Sequence, residues 1–417
     1  MRTPFVVMAV LGAALLGLWA LTDSGAQPPA PVATAPVAVI AKRVEAIRGL
    51  RFDRVPEPVA VTPGQARREG LEDLDRTYPA KQRQADEEVL KLLGLVGPDV
   101  TLRDVSASTF SEGVAGYYDP RTKRLRTVEG AASGSRVLAE MILAHELDHA
   151  LEDQRFGLEL DETGGSDDGT LARLALVEGS ASALMYRYVD EHFTQEETLA
   201  GVLGGALADT GSLPPFLEAQ LVWPYVGGQR FVEALLEKAG GRWSLVDLAE
   251  RTRPPATTEQ VLHPDAYLRV EAPHRVRLAL GRVLGRGYQR VTAGRSGEFQ
   301  TREILATAGG GGSADAAEGW GGDRYELWQP KDLEDCAAPC RRASVLASRW
   351  VWDTPRDERE FAAKLRQWVE DGLKATPAGE GTWTLDGSTV TVSRRAGAVT
   401  LVLAPARALA RRIAAAR

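Results

Sequence analysis

The strongest pattern along the chain is a stretch that is apolar almost all the way round a helix. From Val137 to Leu151, "VLAEMILAHELDHAL", only Glu140, His145, Glu146, Asp148 and His149 interrupt the apolar positions. A helix that is hydrophobic on every face is a buried one. Polar side chains inside it need partners, because leaving them unpaired away from water costs several kcal/mol each. Ser133 or Ser135 can cap its start. A second helix of this kind is expected over about Thr170–His192, where Leu174, Leu176, Val177, Ala181 and Leu184 surround Glu178. A carboxylate in such surroundings calls for a cation, either a metal ion or an arginine such as Arg173 or Arg187. Gly179, next to it, would let the two helices approach closely.

The rest of the pattern is weaker. Glu69–Leu95 mixes charges with apolar residues at helical spacing, and Gly94 and Gly97-Pro98 end it. In Gly113–Val128, two short runs flank the turn-forming Asp119-Pro120-Arg121-Thr122-Lys123, which predicts a β-hairpin directly before the buried helix. Further helices are predicted over Thr194–Asp209, Gly228–Ala239, Ser244–Arg251 and His274–Arg286. From Thr307, "TAGGGGSADAAEG" reads as a flexible linker. Beyond it come strands at Arg324–Trp328 and Val345–Trp352, a helix over Glu358–Leu373, strands near Trp383, Val390 and Leu401, and a short Ala/Arg helix. The fold class expected is therefore α+β and predominantly helical. It comprises a main domain over 41–306, a glycine-rich linker over 307–319 and a small C-terminal α+β module over 320–417.

Composition sharpens this picture at the N-terminus. After Arg2, residues Phe5–Leu21 carry no charge, and Ser24-Gly25-Ala26 offers small residues for cleavage. Residues 1–26 thus read as an export signal, with an uncleaved membrane anchor at 5–21 as the alternative, and Pro/Ala-rich 27–40 as a tether. Either reading puts the bulk of the chain outside the cytoplasmic membrane, in the periplasm or the medium. The two cysteines, Cys336 and Cys340, would close a small disulfide loop in an oxidising compartment. A net charge of −7 gives no basic face for nucleic acid.

The candidate chemistry sits in the buried helix. Residues at i and i+4 share a helix face, so His145 and His149 can hold one ion, and zinc accepts imidazole nitrogen readily. Glu146 lies one residue round from His145, beside the position left open for water. There it can take a proton from that water and pass it to a leaving amine. A shuffled chain with the five histidines present would contain H-E-x-x-H on the order of 0.004 times. The third ligand is open between Glu178 and the remaining histidines, His192, His263 and His274, and Glu178 is the best placed because it needs a cation. The metzincin extension is excluded, since Glu152 and Arg155 stand where Gly and His would be required. Asp153, four residues past His149, can support that imidazole through its second nitrogen. For the oxyanion of peptide hydrolysis, His263 ranks before Tyr225, Tyr117 and Tyr118, because it lies in a loop with no evident core role.

His145-Glu146-x-x-His149, followed by a helix bearing an acidic residue, resembles the gluzincins, thermolysin-like zinc metallopeptidases. Together "HELDHALEDQRF", "ALVEGSA", "RPPATTEQVLHPDAY" and "GWGGDRY" look like an exported bacterial group within that clan, over about Gly113–Tyr325. The resemblance implies a zincin-like catalytic domain, His145, His149 and Glu178 on Zn2+, Glu146 as general base and a protein or peptide substrate. It also implies that the hairpin supplies the edge strand along which substrate aligns. The competing class is a zincin-fold scaffold or binding protein of the cell envelope with little catalysis. No G-x-S-x-G elbow or phosphate-binding loop is present to support other chemistry.

Overall fold

Two long helices lying against each other form the centre of the computed structural model, which describes residues 11–12, 34–132, 135–158, 167–199, 213–333 and 336–416. The chain reaches them through α1 (Val37–Arg48), β1 (Pro58–Val61), α2 (Pro63–Thr77), α3 (Ala80–Leu92) and α4 (Leu102–Ser108). Glu69–Leu95 is therefore not one helix. Pro79 starts α3 instead of continuing α2, because proline disfavours helical geometry at the residue before it. The predicted hairpin follows as β2 (Gly116–Asp119) and β3 (Arg124–Val128), with Asp119 accepting from the Arg121 amide and the Thr122 hydroxyl across the turn. Strand β3 also pairs in parallel with β1. On the other side of β2, Leu11–Gly12 pairs with Tyr118 and Tyr117.

The buried helix is α5 (Arg136–Phe156), capped by Ser135, whose hydroxyl accepts from the Leu138 amide. Next come α6 (Asp167–His192) and α7 (Pro215–Lys238). Of the helix expected over Thr194–Asp209, residues 195–199 are helical and the rest lies outside the described residues. Leu143, Ala144, Leu147, Ala150 and Leu151 of α5 share one core with Ala172, Ala175, Leu176, Ala183 and Leu184 of α6 and with Trp223 and Phe231 of α7.

Glycine decides the tightest crossing in this core. A Cβ placed on Gly179 would fall 2.2 Å from the Gly228 carbonyl carbon, and one on Gly228 would fall 1.8 Å from the Ala175 oxygen. Gly179 therefore admits α7, not the HExxH helix as the sequence suggested. Gly228→Ala is expected to destabilise the fold by about 3 kcal/mol, read as a lowered urea midpoint. The strain falls on Ala175, within one turn of Glu178 on α6.

After α8 (Ser244–Thr252), α9 (Thr258–Leu262), α10 (Pro264–Leu268) and α11 (Leu280–Leu284), the chain enters a sheet with β4 (Tyr288–Gly294). Then follow α12 (Gly297–Ala306), α13 (Ser313–Ala317), β5 (Trp320–Pro330), β6 (Val345–Trp352), α14 (Pro355–Asp371), β7 (Thr376–Gly379), β8 (Thr382–Leu385), β9 (Ser388–Arg395), β10 (Ala398–Ala404) and α15 (Arg407–Ala415). The seven strands are antiparallel in the order β4-β5-β6-β10-β9-β8-β7. Helix makes up 55% and strand 17%, which bears out a mixed, predominantly helical α+β class. Cys336 and Cys340 are joined in a disulfide.

The internal boundary differs from the expectation. The sheet takes its first strand, β4, from before the glycine run, so 307–319 does not separate two units. Gly309, Gly310, Gly311 and Gly312 all hold φ between 70° and 78°, a left-handed path that glycine alone follows cheaply, and they lead into α13, whose Ala316 and Ala317 are buried. A run that composition reads as flexible is a defined turn. The sheet also shares its core with the N-terminal helices: Leu90 and Leu93 cluster with Trp350, Leu365 and Leu401. Where a helix was expected over His274–Arg286, only Leu280–Leu284 is α-helical, a 3-10 turn follows at Gly285–Gly287, and the His274 amide instead bonds the Gly321 carbonyl at 2.7 Å. No helix among the described residues is long and apolar enough to cross a membrane. The expected signal or anchor at 5–21 lies outside them, except for Leu11–Gly12.

Candidate metal centre

Each polar residue that interrupts α5 has an identifiable surrounding. Glu140 accepts from Tyr188 at 2.7 Å and from Arg136 at 3.0 Å, and its other neighbours are Arg43 and the Ala35 amide. Asp148 and Glu152 face the wholly buried Arg48 at 3.7 and 3.3 Å. Arg48 also meets Glu250 at 3.2 Å and Asp247 at 2.5 Å, and lies 4.4 Å from the Trp243 ring centre. Burial, with Glu152 close by, pushes the Asp148 and Glu250 carboxyls well above the usual carboxylate range, so the lone guanidinium does not face a full set of negative charges. This network was foreshadowed only by the demand for partners in the apolar helix. Its arginine, in a separate N-terminal helix, gave no signal.

Of the remaining polar residues, His145 and His149 meet α6, and Glu146 lies beside the hairpin strand. On α6, Glu178 Oε2 is 3.2 Å from His145 Nε2 and 3.5 Å from His149 Nε2, and the two Nε2 atoms are 3.1 Å apart. All three residues are buried. Burial alone would raise the Glu178 carboxyl, but the charge of His149 and hydrogen bonds from both imidazoles more than offset it and hold it below its ordinary value. Neither Arg173 nor Arg187 pairs with Glu178. Among the described residues Arg173 meets no carboxylate, and Arg187 lies over the Trp243 ring.

The triangle of 3.1, 3.2 and 3.5 Å can be tested against a metal. Four ligands at about 2.05 Å in a tetrahedron are about 3.3 Å from one another. The three atoms thus stand where three corners of a zinc tetrahedron would be. Two imidazole nitrogens and one carboxylate oxygen also form a donor set that zinc accepts. The residues present fit the ion.

Glu146 is wholly buried beside this triangle. A Cβ on Gly116 of β2 would come 3.4 Å from Glu146 Cγ and 2.9 Å from Ile142 Cγ2, so the hairpin strand passes directly over the start of the motif. Tyr225 of α7 lies on the other side, its ring 6.1 Å from that of His145 and inclined by 27°.

Two expected site residues are elsewhere. Asp153 does not support an imidazole: it accepts from the Tyr118 hydroxyl at 2.8 Å, from Lys123 at 2.6 Å and from the Leu158 amide at 3.2 Å. Its carboxylate ties the hairpin to the end of α5, because the strand beside it offers stronger donors than the ring one turn away. His263 is not at the triangle either. Its Nε2 meets Glu298 Oε1 at 2.9 Å, and it lines a different cavity. The Glu298 hydrogen bond raises the imidazole above its ordinary value despite partial burial. Tyr117 and Tyr118 are committed to Glu69 and Asp153, which leaves Tyr225 as the donor candidate beside the histidines.

The domain of unknown function DUF8575 matches residues 282–414. That stretch is roughly a third of the chain, runs from within α11 through α15, and excludes the histidine triangle. No curated protein matches the chain, and no solved structure matches it.

The matched sheet nevertheless supports the triangle mechanically. Asp168, at the start of α6, accepts from the Thr258 amide at 2.8 Å and hydroxyl at 2.6 Å, and Thr258 in turn accepts from the Phe299 amide. The adjacent Asp167 meets the Tyr325 hydroxyl. Asp323 takes the Ser296 and Gly297 amides at 2.8 Å each, and the Trp320 indole at 3.1 Å. Burial pushes its carboxyl up to about 7 even so. The pieces "RPPATTEQVLHPDAY" and "GWGGDRY" therefore lock the helix that carries Glu178 onto the sheet.

Proposed function

We propose that the protein is an exported zinc metallopeptidase of gluzincin type, with a zincin-like centre built on α5 and α6. The observation that carries this reading is the buried triangle of His145, His149 and Glu178, whose edges match a zinc tetrahedron within a few tenths of an ångström. The bound ion would supply Lewis-acid chemistry, polarising a peptide carbonyl and making water a nucleophile near neutral pH.

The chain's own side chains do the rest. Glu146, next to His145 and shielded from solvent, removes a proton from the attacking water and delivers it to the departing amine. Tyr225, whose ring lies 6.1 Å from that of His145, is the candidate to donate a hydrogen bond to the carbonyl oxygen as negative charge develops on it. Strand β2 lies over Glu146, and its outer edge already pairs with the extended Leu11–Gly12. That edge supports alignment of an extended peptide by strand addition. Such a substrate is unfolded or extended protein, whose backbone groups are free to pair.

Incubating the purified protein with denatured casein, with and without phenanthroline, tests the reading. Cleavage that the chelator stops, and that added zinc restores, is the expected result. A protein that holds zinc but cleaves nothing across several unfolded substrates would favour the envelope scaffold instead.

A further inference from the structure

A second group of acids converges outside the histidine centre. Glu259 of α9, Glu271 shortly after α10 and Asp353 just past β6 each bring a carboxylate oxygen to within 4.8 Å of the others. All three line a cavity of about 1390 Å³ that opens to solvent. Glu259 is only 6% exposed, yet among the described residues no hydrogen bond or ion pair reaches its carboxylate. Behind it, Glu298 is 5% exposed and its Oε2 is buried with no hydrogen-bond partner.

Such an arrangement is unfavourable by itself, since like charges are gathered where water is scarce. Burial first, then the charges of Glu298, Asp353 and Glu271, push the Glu259 carboxyl up to about 8. The positive groups nearby do not resolve it. Arg269 bonds Glu271 at 2.9 Å from an exposed position, His263 is spent on Glu298, Lys238 on Asp265 and Arg356 on Glu360, and the charge of His274 acts on Asp353.

We propose that Glu259, Glu271 and Asp353 form a binding site for a hard divalent cation of the calcium class. The ligands are carboxylate oxygens without imidazole or thiolate, the set that calcium and magnesium prefer over zinc. The open side of the cavity leaves room for water to complete the coordination. Three ligands from separate segments, on a partly exposed rim, correspond to the weaker class of extracellular sites, with Kd of about 10⁻⁴ to 10⁻³ M.

The ion would act as a clamp. Glu259 lies beside Thr258, which holds Asp168 and so the start of α6, while Asp353 ends a central strand of the sheet. Binding there joins the helical half to the sheet without sharing any ligand with the histidine triangle. The inference therefore stands or falls separately from the peptidase reading.

Cation binding needs the ionised carboxylates, so it is favoured at alkaline pH.

The test compares thermal melts of the full protein at pH 8 in 0.15 M sodium chloride. It uses buffer free of divalent cations and about 5 mM calcium or magnesium chloride, and zinc content is followed in each sample. Wild type should gain about 3 °C in at least one of the two salts. Asp353→Asn, at an exposed position, and Glu259→Gln should each lose that gain. Without divalent cations Glu259→Gln should melt at or above wild type, because it removes a buried charge from a group of acids. No gain with either cation, or an equal gain in both variants, would overturn the proposal.

Discussion

Glu146→Gln should lower peptide hydrolysis by about 10²- to 10⁴-fold while the protein keeps its zinc. The side chain is buried and adjoins His145, but the triangle is closed by His145, His149 and Glu178 without it. Glutamine occupies nearly the same volume and places an amide where the carboxylate was. The helix and the crossing with α6 therefore persist, and only the capacity to accept a proton disappears. The effect should fall on kcat more than on KM, because the lost interaction operates while the proton is in transit. Metal content near one per chain, together with casein cleavage at the wild-type rate, would remove Glu146 from the mechanism.

Glu178→Ala is expected to act on the ion itself. It removes the one triangle member that comes from α6 and leaves two imidazoles, 3.1 Å apart, on a single helix. Two ligands hold zinc far more weakly than three, so dialysis should bring the zinc content from about one per chain to near zero, and casein cleavage should vanish with it. The loss should not come from unfolding. Ala172, Ala175, Leu176, Ala183 and Leu184 still pack α6 into the core, and Asp168 still fastens its start. Circular dichroism should remain that of the folded protein. Stoichiometric zinc in a folded Glu178→Ala protein would mean that another group supplies the third corner. The two substitutions thus separate holding the ion from using it.

Much of this centre was legible in the sequence because its signals are local. An apolar helix interrupted by H-E-x-x-H fixes the helix, its burial and a shared face for His145 and His149, since 3.6-residue periodicity is a property of the helix alone. The isolated Glu178 was conspicuous for the same reason: apolar neighbours surround it, and only Arg173 and Arg187 on its own helix stood as alternatives to a metal ion. The hairpin turn at Asp119–Lys123 and the strand Val345–Trp352 were likewise written in short stretches of residue type.

What failed depended on distant partners. Asp153 has helical spacing for an imidazole, but the hairpin that docks beside it brings Tyr118 and Lys123 closer. His263 looked idle only because Glu298, in a later helix, could not be seen from the loop. The glycine run read as a linker because composition does not report that four left-handed residues can define one path.

The sequence by itself determined the chemistry on offer: two imidazoles and a carboxylate on one helix, and a second carboxylate among apolar residues on another. Tertiary structure alone decided which side chains meet. It brought Arg48 under α5, Gly228 against Gly179, and three acids from separate segments to one rim. The reason is physical: backbone periodicity orders neighbours within an element, whereas contacts between elements are set by how whole surfaces pack, and no local pattern encodes that.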